Sequence, residues 1–258
     1  MLKPETITSA ANPLLKDVRR AMERGGLSPR GWCVAETPHL LAEALRSRCR
    51  VKVVLAAESA KLPRLPGVKI VILPDALLEK ISGTETSQGV MALVEPPQWN
   101  EDQLFQGRTL GVVLDGLQDP GNTGTILRAA EAFGATGAIF LKGTASPFNP
   151  KTLRASAGSL FRVPFLHGMD PALALSAFER NRVKLYAAVP SSACPLADAD
   201  LTVPCAFIIG NEARGVSREL RAAAQEVSIP TVGVESLNAA VAAGILLYEA
   251  RRQRNLRA

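Results

Sequence analysis

Five apolar runs rich in β-branched residues punctuate the second half of this chain: "TLGVVLD" (109–115), "GAIFL" (137–141), "KLYAAVP" (184–190), "CAFIIG" (205–210) and "VSIP" (227–230). None alternates apolar with polar positions, as a strand with one wet face would. Uninterrupted runs of this kind describe strands covered on both faces, and strands separated by helical patterns build parallel sheets flanked by helices. The spacing predicts helices from about Thr123, from about Pro150, near Ser217 and over a long C-terminal stretch. The expected fold class is therefore α/β.

The front half repeats the alternation on a smaller scale. Asn12-Pro13 reads as an N-cap with proline at the first helical position, and the apolar spacing of "LLKDVRRAMERGG" continues until two glycines stop it. Thr37-Pro38 repeats the device before "HLLAEALRSR". "GWCVAE", "VKVVLAA", "VKIVILP" and "GVMALVEP" read as strands, with a short helix over about Asp75 to Ser82. "EPPQWNEDQLFQG" then breaks all periodicity and reads as a linker, which divides the chain into domains 1–97 and 98–258.

Charge narrows the partner. The formal net charge is +6. Residues 1–50 carry +4 and residues 249–258 carry +3, leaving the middle about neutral. Basic ends fit a polyanion, because Lys and Arg on phosphates release counterions, and they fit an ordinary solvated surface equally well. Cys33, Cys49, Cys194 and Cys205 form no C-x-x-C pair, and only His39 and His167 could join them on a metal, so no metal site is expected. Cys33 and Cys205 sit inside apolar runs and read as buried thiols. The N-terminus lacks the apolar core of a signal peptide and no run reaches about 18 apolar residues, so a soluble cytoplasmic protein without a membrane span is expected.

Ligands of open parallel sheets bind beyond the carboxyl ends of the strands. Three loops there carry polar residues: "DGLQDPGNTGT" (115–125), "GNEARGVS" (210–217) and "PTVGVESLNAA" (230–240). The first spaces its glycines as 116, 121 and 124, which is neither the dinucleotide nor the P-loop pattern. A helix opening near Asn122 or Thr123 would offer free N–H groups to an anion such as an RNA phosphate. Arg128 falls early on that helix, where it could meet a ligand or simply face solvent. Glu212 directly follows a buried strand, so it needs an Arg or backbone N–H partner, or serves to cap the next helix. Ser236 and Asn238 could cap the last helix or belong to a site.

In this order and at these intervals, "DPGNTGTILRAAEAFGA", "IIGNEARGVS" and "SIPTVGVESLNAAVAAGILLYEARRQR" closely resemble the SpoU/TrmH class of S-adenosylmethionine-dependent RNA ribose 2′-O-methyltransferases. "FNPKTLRASAGSLFRVP" resembles that family's second crossover, and residues 1–95 more loosely resemble the small ribosomal-protein-like RNA-binding domain often fused in front. The front domain departs from the pattern at "VAETPHLLAEAL", where a glycine commonly follows the glutamate.

The resemblance implies a deep trefoil knot in the C-terminal parallel-sheet domain and an S-adenosyl-L-methionine pocket inside it, lined by Gly210, Asn211, Ile229, Leu237 and Asn238. It implies catalytic roles for Arg128, Asn122, Glu212, Ser236 and Asn238, with Arg128 on the ribose hydroxyl and its phosphate. Arg154 and Ser156 join Arg128 as implied RNA contacts. The implied substrate is RNA, large-subunit rRNA in preference to tRNA, and the implied assembly is a homodimer through the knotted domain. A non-catalytic RNA-binding protein, a tRNA ribose methyltransferase and a base methyltransferase are the competing readings.

Overall fold

The computed structural model describes residues 4–84 and 86–255. Lys3 and Arg257, counted above with the basic ends, lie outside them. The chain forms two compact units, one of residues up to Gln98 with 146–161, the other of 99–145 with 162–258. Residues 146–161 therefore pack with the first unit although they interrupt the second.

The first unit contains β1 (Glu5–Thr6), α1 (Pro13–Arg24), β2 (Cys33–Glu36), α2 (Pro38–Arg46), β3 (Arg50–Ala57), β4 (Lys69–Leu73), α3 (Asp75–Glu79) and β5 (Val90–Glu95). Its sheet runs β1-β4-β3-β5-β2. The β1, β4 and β3 neighbours pair parallel, whereas β5 is antiparallel to both β3 and β2. Leu14, Leu15, Val18 and Ala21 of α1 form the buried stripe of that helix against the core built on Leu55, Val71, Met91 and Leu93. Asn12 caps α1 by accepting from Leu14 N at 2.9 Å, and Thr37 caps α2 from Leu40 N at 3.1 Å. Cys33 is fully buried, and burial pushes its thiol up to about 12.

The second unit begins with α4 (Glu101–Leu104) and continues through β6 (Leu110–Asp115), α5 (Pro120–Ala132) and β7 (Gly137–Leu141). The inserted α6 (Pro150–Ser156) belongs to the first unit. Then follow β8 (Phe165–Met169), α7 (Pro171–Arg180), β9 (Lys184–Ala188), β10 (Cys205–Gly210), α8 (Arg218–Ala222), β11 (Gln225–Val227) and α9 (Ala239–Asn255). The sheet order is β11-β9-β10-β6-β7-β8 and every neighbouring pair is parallel. Val112, Val113, Leu114, Phe207, Ile208 and Ile209 are buried on this sheet, as uninterrupted apolar runs require.

The expected linker is not bare. Asn100 and Gln103 make a reciprocal capping box that starts α4. Leu104 buries itself over Gly137, where a Cβ would collide with the leucine side chain. Trp99 and Phe105 pack on the same core. Two strand and helix runs in 165–180, unassigned from the sequence, complete the sheet edge as β8 and α7.

Arg254 anchors the far end of α9. Its guanidinium, on a buried residue, donates to the carbonyls of Leu201 at 2.9 Å, Arg108 at 2.9 Å, Thr109 at 2.9 Å and Val203 at 2.7 Å. Burial lowers its pKa from the ordinary value, and the planar five-donor fork is what lets one side chain meet four acceptors.

Candidate functional site

The register of the two central strands locates the site. Gly210, the last residue of β10, pairs beside Asp115, the last residue of β6. The next strand after β6 lies on one side of this pair, and β9 and β11 lie on the other. A reversal of strand order of this kind opens a crevice at the carboxyl ends. The crevice is a cavity of ≈ 710 Å³, lined by the segments 188–190, 209–216 and 235–238, by Ile229 and Thr231, and by Ala239, Ala242 and Leu246 of α9. That volume falls in the range of about 300–1,000 Å³ typical of small-molecule sites.

Gly210 is required there by space. Its backbone lies outside the left-handed region, yet a Cβ would run into the main chain of Gly215 and Val216. Residues 211–215 fold back over it as a tight turn, closed by Asn211 N donating to Gly215 O at 3.0 Å and Gly215 N to Asn211 O at 2.8 Å. The Asn211 side chain holds this turn from inside. Its Oδ1 accepts from Ala213 N at 3.0 Å and Arg214 N at 3.1 Å, and its Nδ2 donates to Gly116 O at 2.8 Å. Asn211 thus lines the cavity with its polar side-chain atoms already used. Asp115 secures the far end of the turn by accepting from Ser217 N at 2.7 Å.

The second organising group joins all three candidate loops. Asn238 Nδ2 donates to Asn122 Oδ1 at 3.0 Å, and Asn122 Nδ2 donates to Glu212 Oε1 at 3.2 Å. Glu212 Oε2 accepts from Gln118 N at 3.4 Å. Among the described residues, Glu212 is therefore met by a backbone N–H and an amide and by no Arg, and the residue is exposed. Asn238 both caps a helix and joins this network. Its Oδ1 caps α9 by accepting from Ala240 N at 2.9 Å, while its amide nitrogen reaches the network.

Gly210, Asn211, Ile229, Leu237 and Asn238 all line the cavity, together with Glu212 and Ser236. Asn122 and Arg128 do not, although Asn122 is bonded to two residues that do. Arg128 is exposed on α5, and its guanidinium makes no hydrogen bond or ion pair among the described residues. Ser236 is exposed on the irregular segment before α9.

Three expectations are corrected. The helix after β6 opens at Pro120, and its N-terminus is closed: Asp119 accepts from Gly121 N and Asn122 N, both at 3.1 Å, and Thr123 N bonds Asp119 O. A carboxylate of the chain itself occupies the place assigned to a phosphate. Ser156 is fully buried with its hydroxyl donating to Leu153 O at 2.8 Å, so it offers no face to RNA. Arg154 spends its guanidinium on the buried Glu36 at 2.6 Å and on Gly83 O at 3.4 Å, inside the first unit. Glu36 is otherwise met by Ser82 Oγ and by Gly83 N at 3.0 Å, so Arg154 neutralises a buried carboxylate.

Sequence reasoning missed the 188–190 loop, Val216, Arg214 and Glu235 as lining residues. The first could have been found, since "AVP" is the carboxyl end of the run "KLYAAVP", where ligands of parallel sheets bind. Arg221 also lines the cavity but is held by Glu226, whose hydrogen bond raises its pKa above the ordinary value.

Residues 109–248 match the model of the SpoU rRNA methylase family, and residues 38–99 match that of the RNA 2′-O ribose methyltransferase substrate-binding domain. An uncharacterised tRNA/rRNA methyltransferase of Synechocystis is 35% identical, covering 96% of this chain and 94% of its own. The 23S rRNA (guanosine(2553)-2′-O)-methyltransferase of Bacillus subtilis is 32% identical over 95% of this chain and 98% of its own. The crystal structure of the SpoU methyltransferase AviRb from Streptomyces viridochromogenes, in complex with the cofactor AdoMet, superimposes with a TM-score of 0.86 at 29% identity, covering 95% and 98% of the two chains. The family model, covering more than half of the chain, and relatives matched over nearly their whole length agree, and the chain belongs to the SpoU rRNA methylase family.

Proposed function

We propose that the protein transfers a methyl group from S-adenosylmethionine to a ribose 2′-hydroxyl of structured RNA, in large-subunit rRNA in preference to tRNA. The hydrogen-bonded chain Asn238–Asn122–Glu212–Gln118 carries this reading, because it ties the cavity wall to the helix that presents Arg128. The kinship with a Bacillus subtilis 23S rRNA 2′-O-methyltransferase and with an AdoMet-bound SpoU structure supports the choice of substrate and cofactor.

The cavity suits the cofactor. Ile229, Leu237, Val216, Ala242 and Leu246 supply apolar walls for a heteroaromatic ring, and the main chain turned over Gly210 brings peptide groups to its edge. When bound, S-adenosylmethionine would supply a methyl on a sulfonium; its transfer to the 2′-oxygen would leave a neutral thioether and release the hydroxyl proton to solvent. The chain's own task is alignment, which is worth up to about 7–11 kcal/mol in favourable cases. Asn122, gripped at both ends of its amide, fixes the start of α5, and Arg128 on that helix orients the 2′-hydroxyl and the adjoining phosphate. Orientation suits it better than proton removal, since a guanidinium with a pKa above about 12 is a poor base. Ser236 and Asn238 border the cavity on the RNA side.

We also assign the C-terminal segment a trefoil-knot threading and the protein a cytoplasmic setting, with residues 1–97 as RNA substrate domain and 98–258 as methyltransferase domain. Among the described residues no helix is long and apolar enough to cross a membrane. The assembly is a homodimer through α9, whose Val241, Ile245 and Tyr248 recur on one exposed face at 51%, 37% and 54% accessibility. Sedimentation at micromolar concentration is expected to give twice the 27.4 kDa chain mass, and a 27.4 kDa species refutes the dimer.

The function is tested with tritium-labelled S-adenosylmethionine and rRNA lacking the modification, followed by nuclease digestion and mass spectrometry. A nuclease-resistant dinucleotide carrying a ribose methyl is expected. A methylated base, or RNA binding without transfer, overturns the reading.

A further inference from the structure

The outward face of α1 has no part in the site described, and α1 precedes both segments matched to family models. Lys16, Arg20 and Arg24 stand at four-residue intervals on it, all exposed, with Arg19 half-buried beside them. None of the four forms an ion pair among the described residues. Four residues of helix advance about 6 Å, so the three exposed cations form a line rather than a scatter. Glu23 is the carboxylate on this face, which leaves four cations against one. The other acid of the helix, Asp17, is turned to Arg30 at 3.4 Å.

The opposite face makes the line rigid. Leu14, Leu15, Val18 and Ala21 are buried in the core of the first unit, and Gly25 ends the helix in a left-handed turn whose Cβ position is taken by Asn149. Asn149 is the cap of α6, so the basic helix is clamped at its end by the same segment that interrupts the methyltransferase unit. A charged face on a clamped helix keeps its spacing, and little side-chain-bearing backbone must be ordered when a polyanion docks.

We infer that Lys16, Arg20 and Arg24, flanked by Arg19, form a phosphate-backbone contact for the RNA substrate, read without regard to base sequence. This rests on RNA being the substrate. A line of Lys and Arg with no aromatic side chain among them matches backbone rather than base recognition, because stacking platforms need exposed rings.

The test is binding of full-length protein to an unmodified 23S rRNA transcript, measured over a series of KCl concentrations. Each phosphate contact contributes about 0.7–0.9 to the slope of log affinity against log salt. The triple variant K16Q/R20Q/R24Q is expected to lower that slope by about 2–3 and to bind at least about tenfold more weakly at low salt. The charge-conserving variant K16R/R20K/R24K is expected to keep the wild-type slope. Thermal midpoint and S-adenosylmethionine affinity serve as controls, and both are expected to be unchanged, since the three side chains are exposed and far in sequence from the cavity loops. An unchanged slope in the triple variant overturns the inference. So does a triple variant that binds rRNA like wild type but loses affinity for polyglutamate, which would mark a protein-docking face. Wild-type protein that binds S-adenosylmethionine but no rRNA refutes the substrate reading itself, and is told apart by needing no variant.

Discussion

Gly210→Ala is expected to abolish cofactor-dependent function through one methyl group. The added Cβ has no free direction, because the atoms it meets belong to the backbone of Gly215 and Val216 and cannot rotate away. Overpacking of a tight site costs about 1–3 kcal/mol, and rigid main chain puts this case at the upper end or beyond. Relief requires the 211–215 turn to lift. Lifting it breaks the two Asn211–Gly215 backbone bonds and draws Asn211 Nδ2 from Gly116 O, uncoupling the loops after β10 and β6. The turn also forms one wall of the cavity. Affinity for S-adenosylmethionine is expected to fall at least about 100-fold, equivalent to about 2.7 kcal/mol. The thermal midpoint should drop by several degrees, at about 2–4 °C per kcal/mol for a chain of this size. Calorimetry showing wild-type cofactor affinity in a folded Gly210→Ala protein would refute the role given to this turn.

Arg128→Ala is expected to do the reverse, leaving the cofactor and removing the chemistry. Arg128 does not line the cavity and, among the described residues, its exposed side chain makes no hydrogen bond or ion pair, so its truncation is expected to leave the fold intact. Loss of a charged group that orients a reacting oxygen costs about 10²–10³ in kcat. S-adenosylmethionine affinity is expected to stay within about twofold, a difference of about 0.4 kcal/mol. Arg128→Lys should recover only part of the rate, since an ammonium keeps the charge but not the two-pronged planar geometry. Single-turnover methyl transfer read beside calorimetry separates the outcomes. Equal loss of cofactor binding and turnover places Arg128 in the pocket's architecture and removes it from catalysis.

The Asn122 network connects these two results. Glu212 holds the Asn122 amide from the β10 loop, and Asn238 holds it from the start of α9. Deforming the 211–215 turn therefore moves a support of α5 as well as the pocket wall. Gly210→Ala should lower turnover even at saturating cofactor, whereas Arg128→Ala should leave the pocket untouched.

Much of this was legible in the residues. The buried strands declared themselves because uninterrupted β-branched runs suit only a sheet covered on both faces, and β6, β7, β9 and β10 fall on those runs. Local spacing offered Ser236 and Asn238 as caps of α9, and Asn238 makes the cap. The start of α5 was legible too, and was misread. Asp119-Pro120 repeats the device of Asn12-Pro13 and Thr37-Pro38, and the same logic places the first helical residue at Pro120 with Asp119 closing the N–H groups.

What the chain alone settled about this protein were its strands, its proline-led helices and the polar loops that follow them, because caps and apolar runs act over a few neighbouring residues. Tertiary structure alone decided where those loops' groups are spent. Asn122 meets Glu212 across 90 residues and Asn238 across 116, and Arg154 meets Glu36 across 118. Such pairings depend on strand order and register, which bring Gly210 beside Asp115. No local rule determines that a serine such as Ser156 is buried while an arginine 28 residues earlier stays exposed, because burial is a property of what packs on a helix, and the partner is chosen by the fold.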